Sequence, residues 1–473
     1  MSFPVRYQLI DNAKKSIVLS TFSFYAQKDD GEIEDASTRL MAEKLIAAKN
    51  RGVKVLVITD GISSTMAGAQ VAIDKLREAG IHVVKYNPVV GQESDLPLVA
   101  AAPHITYRLL VNQNPIANRW HEKTMIVDGT YGVIGGLNWG EPYWDGNSFT
   151  NSVLDASEFY SHPLVQEIGV PFQAEWGKSG EDSWRDTDML VKGPVLESAL
   201  QQLLLDFSLL EVLEQKNRRN QFKNAKAEDY IEAQEVYKNK YANDSAFAVG
   251  VSESPQKMGL EMRYVRSRPF LDRRLHDRHQ KLKDFADANQ LYVNEDNPSL
   301  YISNAYVNII NNAQKQIIWG CHSNRPPDDI LEALVAAAER GVNVYLMGNS
   351  HATTTTLPDK GLIMYSKQKG FYEELLTRGQ GRIRLFEWQR TATDESGNEM
   401  MSGAFHSKAF SVDGVISSIG SYNVAKASFQ KHTEGTIIIN DPEFAKKVEE
   451  MYQLDLRFVK EVVLGPSAEE EIE

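Results

Sequence analysis

The chain repeats itself once, and this constrains its fold more than any other feature, because a fixed repeat demands two similar structural units. Asn12-Ala13-Lys14-Lys15-Ser16-Ile17-Val18-Leu19 is matched by Asn312-Ala313-Gln314-Lys315-Gln316-Ile317-Ile318-Trp319, each reading as a helix end followed by a buried strand. Leu45-Ile46-Ala47-Ala48-Lys49-Asn50-Arg51-Gly52-Val53-Lys54-Val55 is matched by Leu334-Val335-Ala336-Ala337-Ala338-Glu339-Arg340-Gly341-Val342-Asn343-Val344. That pattern is a helix stopped by glycine and then a strand. Ile81–Tyr86 corresponds in the same way to Ile383–Trp388. The β-branched run from Val53 to Ile58 is nearly unbroken, as in a strand covered on both faces. Strands alternating with helices of this length predict an α/β fold with mixed sheets. The expected architecture is two similar halves, residues 1–207 and 295–473, each a mixed β-sheet flanked by helices, packed around one shared active site.

Residues 208–294 have a different texture. The part from 208 to 245 is dense in both charge signs and reads as solvated helix within a charged linker or insertion. The chain has 473 residues, 42% of them hydrophobic, and a formal net charge of -13, so it can bury a large core and should be repelled by phosphate polyanions. No nucleic-acid partner is therefore expected. The single cysteine, Cys321, cannot form an internal disulfide and reads as a small buried residue at a strand end. There is no transmembrane-length apolar run, and the N-terminal residues show no secretory apolar region.

The repeat carries chemistry. The first half holds His121-Glu122-Lys123 with Asp128 five residues after the lysine, then Gly135-Gly136-Leu137-Asn138. The second holds His406-Ser407-Lys408 with Asp413, then Gly420-Ser421-Tyr422-Asn423. Side chains alternate along an extended chain, so each His and Lys share a face while Glu122 and Ser407 point away. Cleaving a phosphodiester requires a nucleophile, an acid for the leaving oxygen, and positive charge around the phosphate. Imidazole can be either of the first two near neutral pH. Lys123, Lys408, Asn138 and Asn423 supply donors for phosphate oxygens. A single His-x-Lys is a weak signal. Two copies within matching repeats, each with its downstream Asn, are a strong one.

Aligning Asp186-Thr187-Asp188 with Glu434-Gly435-Thr436 places Asp186 and Glu434 at equivalent strand starts. A carboxylate on the far nitrogen of an imidazole fixes its tautomer and supports its charge, and these two residues are expected to do so. Asp188 competes with Asp186 for that role. Asp128 and Asp413, about 16 Å beyond each lysine along an extended strand, read as turn formers.

These motifs are those of the phospholipase D superfamily, and the resemblance covers most of both halves. Tyr86-Asn87-Pro88, Arg119-x-His121-x-Lys123, Gly135-Gly136-x-Asn138 and Trp184-Arg185-Asp186-Thr187-Asp188 followed by Gly193-Pro194 look like bacterial cardiolipin synthases. There the last motif usually ends in His, where this chain has Asp188. The resemblance implies a two-step reaction without metal or other cofactor. His121 would attack phosphorus, and His406 would protonate the leaving alcohol and then activate the acceptor. Lys123, Lys408, Asn138 and Asn423 would hold the phosphate, with Ser421 helping. Water as acceptor gives phosphatidic acid, whereas an alcohol gives phosphatidyl transfer. A nuclease of the same superfamily is the alternative, and a catalytically silent lipid-binding protein is a third reading, opposed by the complete motifs.

Arg263, Arg266, Arg268, Arg273, Arg274, Arg278, Lys281 and Lys283 face only Asp272 and Asp277 in their stretch, a local reversal of the overall charge. With a phospholipid substrate, this cluster is expected to dock a monomeric, peripheral enzyme on an anionic membrane surface. A bacterial envelope or secretion fits such a chain.

Overall fold

The computed structural model describes residues 2–25, 33–66, 69–88, 119–146, 160–170, 184–216, 226–249, 261–267, 301–350, 353, 358–393, 399–401, 403–425, 428 and 432–463. The first half builds a six-stranded sheet from β1 (Ser16–Thr21), β2 (Lys54–Asp60), β3 (His82–Tyr86), β4 (Thr124–Val127), β5 (Tyr131–Gly135) and β6 (Asp188–Lys192). Its order is β3-β2-β1-β4-β5-β6, with β1, β2 and β3 parallel and β4, β5 and β6 antiparallel in turn.

Residues 261–463 repeat that topology and extend it. Their strands are β7 (Glu261–Ser267), β8 (Gln316–Gly320), β9 (Asn343–Asn349), β10 (Ile383–Trp388), β11 (Thr391–Thr393), β12 (Glu399–Met401), β13 (Ala409–Val412), β14 (Ile416–Gly420), β15 (Glu434–Asn440) and β16 (Val459–Glu461). Strands β11 and β12 form a separate ribbon, and the sheet runs β16-β10-β9-β8-β13-β14-β15-β7. The central six, in the order β10-β9-β8-β13-β14-β15, match β3-β2-β1-β4-β5-β6 strand for strand. The sequence repeat is therefore a structural one.

The glycine stops and aspartate turns act as read, and a helix cap not read from the sequence joins them. Asp35 caps the helix Ala36–Asn50 by accepting from Thr38 N at 2.8 Å. Gly52 and Gly341 follow the two matched helices with φ of +93° and +96°, the left-handed region that ends a helix. Asp128-Gly129 and Asp413-Gly414 have positive φ at both residues, as a tight hairpin turn requires. Asp128 also accepts from the backbone N–H groups of Lys14, Lys15 and Ser16, and Asp413 from those of Gln314, Lys315 and Gln316. Each aspartate thus clamps its hairpin to the start of the neighbouring strand.

Three apolar layers hold the halves. One lies on the outer face of the first sheet and another on the outer face of the second. The middle layer draws on both halves, from Val18 and Trp120 to Phe405 and Ile437. The segment after 207 behaves differently from a linker. The helix Val195–Gln215 runs through that boundary and buries Ser208 to Leu213, so among the described residues of 208–245 the reading as solvated holds only for the outer faces. Tyr230, Ala233, Tyr241 and Phe247 join the middle layer too.

Strand β7 carries a second departure from the sequence reading. Arg266, counted there in a surface basic cluster, has a side chain 1% exposed. It pairs with Glu122 at 2.5 Å and Asp206 at 2.7 Å, while Tyr264 donates to Glu122. Arg263 is exposed and pairs with Glu261 at 2.5 Å, and the members of the cluster from 268 to 283 lie outside the described residues. A cation buried between two carboxylates links β7 and the long helix to the residue between His121 and Lys123. Removing it strands two buried charges. Arg266→Met is expected to cost about 3–5 kcal/mol of unfolding free energy. The triple change Glu122→Gln, Asp206→Leu, Arg266→Met should recover most of that in denaturant titrations.

Candidate active site

Each His-x-Lys segment enters the core just before a central strand, β4 or β13, and is pinned from two sides. The backbone before the histidine is held by a side chain at the end of the second parallel strand of its own half. Trp120 N donates to Asp60 Oδ2 at 2.8 Å, and Phe405 N donates to Asn349 Oδ1 at 2.8 Å. The histidine itself is bridged to the other half. His121 N donates to Thr433 O (2.9 Å), and His406 N donates to Arg185 O (2.7 Å). Both crossings are isolated parallel bridges, Trp120 with Thr433 and Arg185 with Phe405.

Those crossings exchange the carboxylates. His121 Nδ1 lies 2.9 Å from Glu434 Oε2, and His406 Nδ1 lies 2.5 Å from Asp186 Oδ2. Each imidazole therefore takes its partner from the opposite half. All four residues are at most 7% exposed, so the pairs sit in a dry interior. Asp188 is not a partner. It is bound by Arg6 at 2.6 Å and by Ser2.

The lysines share the site. Lys123 Nζ donates to its own His121 O at 2.6 Å, and Lys408 does the same to His406 O while its Nζ stands 2.7 Å from His406 Nδ1. Burial draws Lys123 down to about 7 and Lys408 to about 8. With each imidazole joined to a carboxylate of the opposite half, both motifs meet at the interface between the halves, where Lys123 acts on Asp186 and His406 of the other pair. As alternation requires, Glu122 turns away to Arg266, and Ser407 turns to Thr187.

The downstream motifs differ between halves. Ser421 Oγ donates to Glu434 Oε2 at 2.6 Å, so its hydroxyl is committed to the carboxylate and not to a phosphate. Gly136 stands in the equivalent place, where an added Cβ would fall 2.0 Å from Asp186 Oδ1. Glycine is thus required for Asp186 to approach. Asn138 Nδ2 donates to Tyr143 OH at 2.7 Å. The Oδ1 atoms of Asn138 and Asn423 are buried without a hydrogen-bond partner among the described residues, leaving unmet polar capacity on both sides of the site.

The two pairs titrate apart. Burial pulls His121 down to about 3, with Glu434 opposing. Against the upward push of its own burial, Glu434 is held below the ordinary carboxylate range by His121 and His432. The result is a neutral ring whose Nδ1–H donates to a carboxylate and whose Nε2 keeps its lone pair. In the other pair, burial pushes Asp186 up to about 7 and, with Lys408 and His322, lowers His406. Such a pair shares its protons, so it takes up an extra one near neutrality that the outer ring nitrogen can deliver.

The rings around the histidines were not anticipated as a set. Phe22 and His432 flank His121, with centroids at 4.9 and 5.4 Å. His322, Trp184 and Tyr143 flank His406 at 5.1, 5.4 and 5.4 Å. Phe22 and His322 are equivalent in the repeat, as are Trp184 and His432, so the alignment that yields Asp186 and Glu434 also contains these four. His121, His432 and Glu434 are the group among the described residues that could hold a metal ion. Cys321 is buried, donates to Ser323 O, and has its thiol pushed up to about 11 by burial, which makes it inert.

The family profile described as cardiolipin synthase, PLD-like domain, matches residues 7–176 and 306–456. Cardiolipin synthase 2 of Bacillus anthracis is 22% identical over 460 residues, covering 96% of this chain and 63% of the relative. A Helicobacter pylori protein of uncharacterised function is 22% identical over 453 residues, covering 94% of this chain and 75% of the relative. The crystal structure of phosphatidylserine synthase from Haemophilus influenzae superposes with a TM-score of 0.57 at 12% identity, covering 98% of this chain and 85% of that one. That likeness bears on the fold. With the profile spanning both motif-bearing halves, the chain belongs to the phospholipase D-like family of cardiolipin synthase domains.

Proposed function

We propose that this protein is a phospholipid phosphodiesterase or phosphatidyltransferase working through a phosphohistidine. The observation that carries this reading is the pair of buried imidazole–carboxylate couples, each formed across the two halves and accompanied by a buried lysine. His121 Nε2 attacks phosphorus, and the bond from phosphorus to the leaving alcohol breaks. His406 gives its Nε2 proton to the departing oxygen. The now neutral His406 takes a proton from water or an acceptor alcohol, whose oxygen attacks phosphorus and returns the P–N electron pair to His121. Lys123 and Lys408 balance charge on the phosphoryl oxygens, and Asn138 and Asn423 add donors. Asp186 and Glu434 orient the rings.

A lipid substrate is favoured by the net charge of -13, which opposes a long polyanion, and by the cardiolipin synthase description of the matching family. Among the described residues no helix is long and apolar enough to cross a membrane. Docking to an anionic surface through Arg274, Arg278 and Lys281 is part of the proposal, now without Arg266.

Incubation with a phospholipid panel and with single-stranded DNA, scored by product mass, tests the substrate class. Phosphatidic acid or a phosphatidyl-transfer product is expected, and nucleotide products alone would replace this reading with the nuclease one. For the intermediate, His406→Ala with a p-nitrophenyl phosphodiester should burst and then stall with phosphate on His121. Peptide mass spectrometry finding it on His406 in the wild type would reverse the assignment.

The pH profile follows from the raised Asp186. Its couple with His406 holds the transferable proton below about 7 and loses it above, while Lys123 loses charge in the same range. For an alkyl diester, kcat/KM should fall as pH rises through about 7. For a p-nitrophenyl diester, whose leaving group needs no proton, the fall should be shallower. Equal slopes would remove the acid role from this couple.

A further inference from the structure

His432 stands two residues before Glu434, where Trp184 stands before Asp186. Both rings lie 5.4 Å from the motif histidine they flank, yet only His432 can bind a metal. Its Nδ1 is 3.6 Å from Glu434 Oε1, beyond hydrogen-bond length. Both atoms are buried without a hydrogen-bond partner among the described residues, and Glu434 itself is fully buried. On its other oxygen Glu434 meets His121. One ligand atom from each of the three lies within 4.8 Å of the others.

We propose that His121, His432 and Glu434 form an inhibitory site for a divalent first-row transition metal ion, with zinc as its type. Bonds of about 2.0–2.2 Å in a tetrahedral centre set its ligands roughly 3.3 Å apart, close to the Glu434–His432 separation. Two imidazoles and a carboxylate select such ions over magnesium or calcium. The positive charges of Lys123 and Lys408 are balanced by Glu434 and Asp186, so the cation does not enter a net positive hollow.

Inhibition follows from the ring chemistry of His121. Bound through Nε2, the ion occupies the lone pair that would attack phosphorus. Bound through Nδ1, it displaces the proton there, and a neutral ring then carries that proton on Nε2. The lone pair is lost either way. The inhibitory half of the proposal rests on the nucleophilic role given to His121, whereas the binding half stands without it.

Zinc chloride titrated into the full chain, followed by calorimetry and by hydrolysis of bis(p-nitrophenyl) phosphate, separates the two. One bound zinc per chain is expected, with hydrolysis lost in parallel and recovered on adding a chelator. His432→Asn should weaken zinc binding at least about tenfold. His322→Asn, on the opposite couple, should leave zinc affinity unchanged. No binding to the wild type, or equal binding to His432→Asn, overturns the site. Zinc bound in a His432-dependent manner with hydrolysis intact overturns the inhibition and the nucleophile assignment while leaving the site. Should His432→Asn not fold, X-ray absorption of the zinc-loaded wild type decides. Two imidazoles in the first sphere support the site, and a sulfur or all-oxygen sphere overturns it.

Discussion

The exchange of carboxylates between the halves is the constraint on which the site depends. An imidazole removed from water loses the hydration of its charged form, and a lone buried carboxylate is costlier still. Neither half can meet these costs alone. His121 without Glu434, or His406 without Asp186, would leave each group without its hydrogen-bonding partner. Once the halves dock, each burial becomes half of a hydrogen-bonded pair. The backbone bridges from His121 to Thr433 and from His406 to Arg185 set the distance at which this happens. The shared apolar layer, with Trp120 and Phe405 adjoining the two histidines, supplies the drive that holds them there.

Duplication would give two identical couples, and two identical couples would make poor chemistry, because nucleophile and acid need opposite protonation. Small differences separate them. Glu434 carries one more methylene than Asp186 and is met by the Ser421 hydroxyl, which adds a donor and favours the charged carboxylate. Asp186 faces Gly136, which offers no donor and lets it approach closely. Burial raises the carboxyl and Asp188 adds to the rise, while Lys408, the Thr187 N–H and Lys123 oppose it only in part. The larger separation comes from the charges nearby, His121 and His432 holding Glu434 low and Asp188 adding to the rise of Asp186.

Much of this was legible in the sequence, and the reasons are local. Helix stops at Gly52 and Gly341, hairpin turns at Asp128 and Asp413, and the alternation of His121, Glu122 and Lys123 are written in a few adjacent residues. The equivalence of Asp186 and Glu434 follows from alignment as well. Which histidine each serves does not, because a repeat says what corresponds and not what touches across an interface. The same limit explains Arg266. Its neighbours in sequence are basic, so it reads as surface, but its partners Glu122 and Asp206 are remote in the chain. Likewise, Ser208 to Leu213 sit beside a charge-dense stretch yet face the middle core layer.

The environment of the four flanking rings was less accessible still, since ring identity at Phe22, His322, Trp184 and His432 varies where the backbone does not. An apolar ring on one side of each couple and an imidazole on the other, with Tyr143 added beside His406, keeps both histidines desolvated without enclosing them in hydrocarbon. Desolvation is what lowers both His121 and His406. It also strengthens every charge interaction in the site, including those of Lys123 and Lys408 with an arriving phosphate. A wetter site would raise both histidines toward their ordinary value and narrow the difference between the couples. The aromatic shell is therefore part of how one duplicated motif comes to perform two distinct tasks.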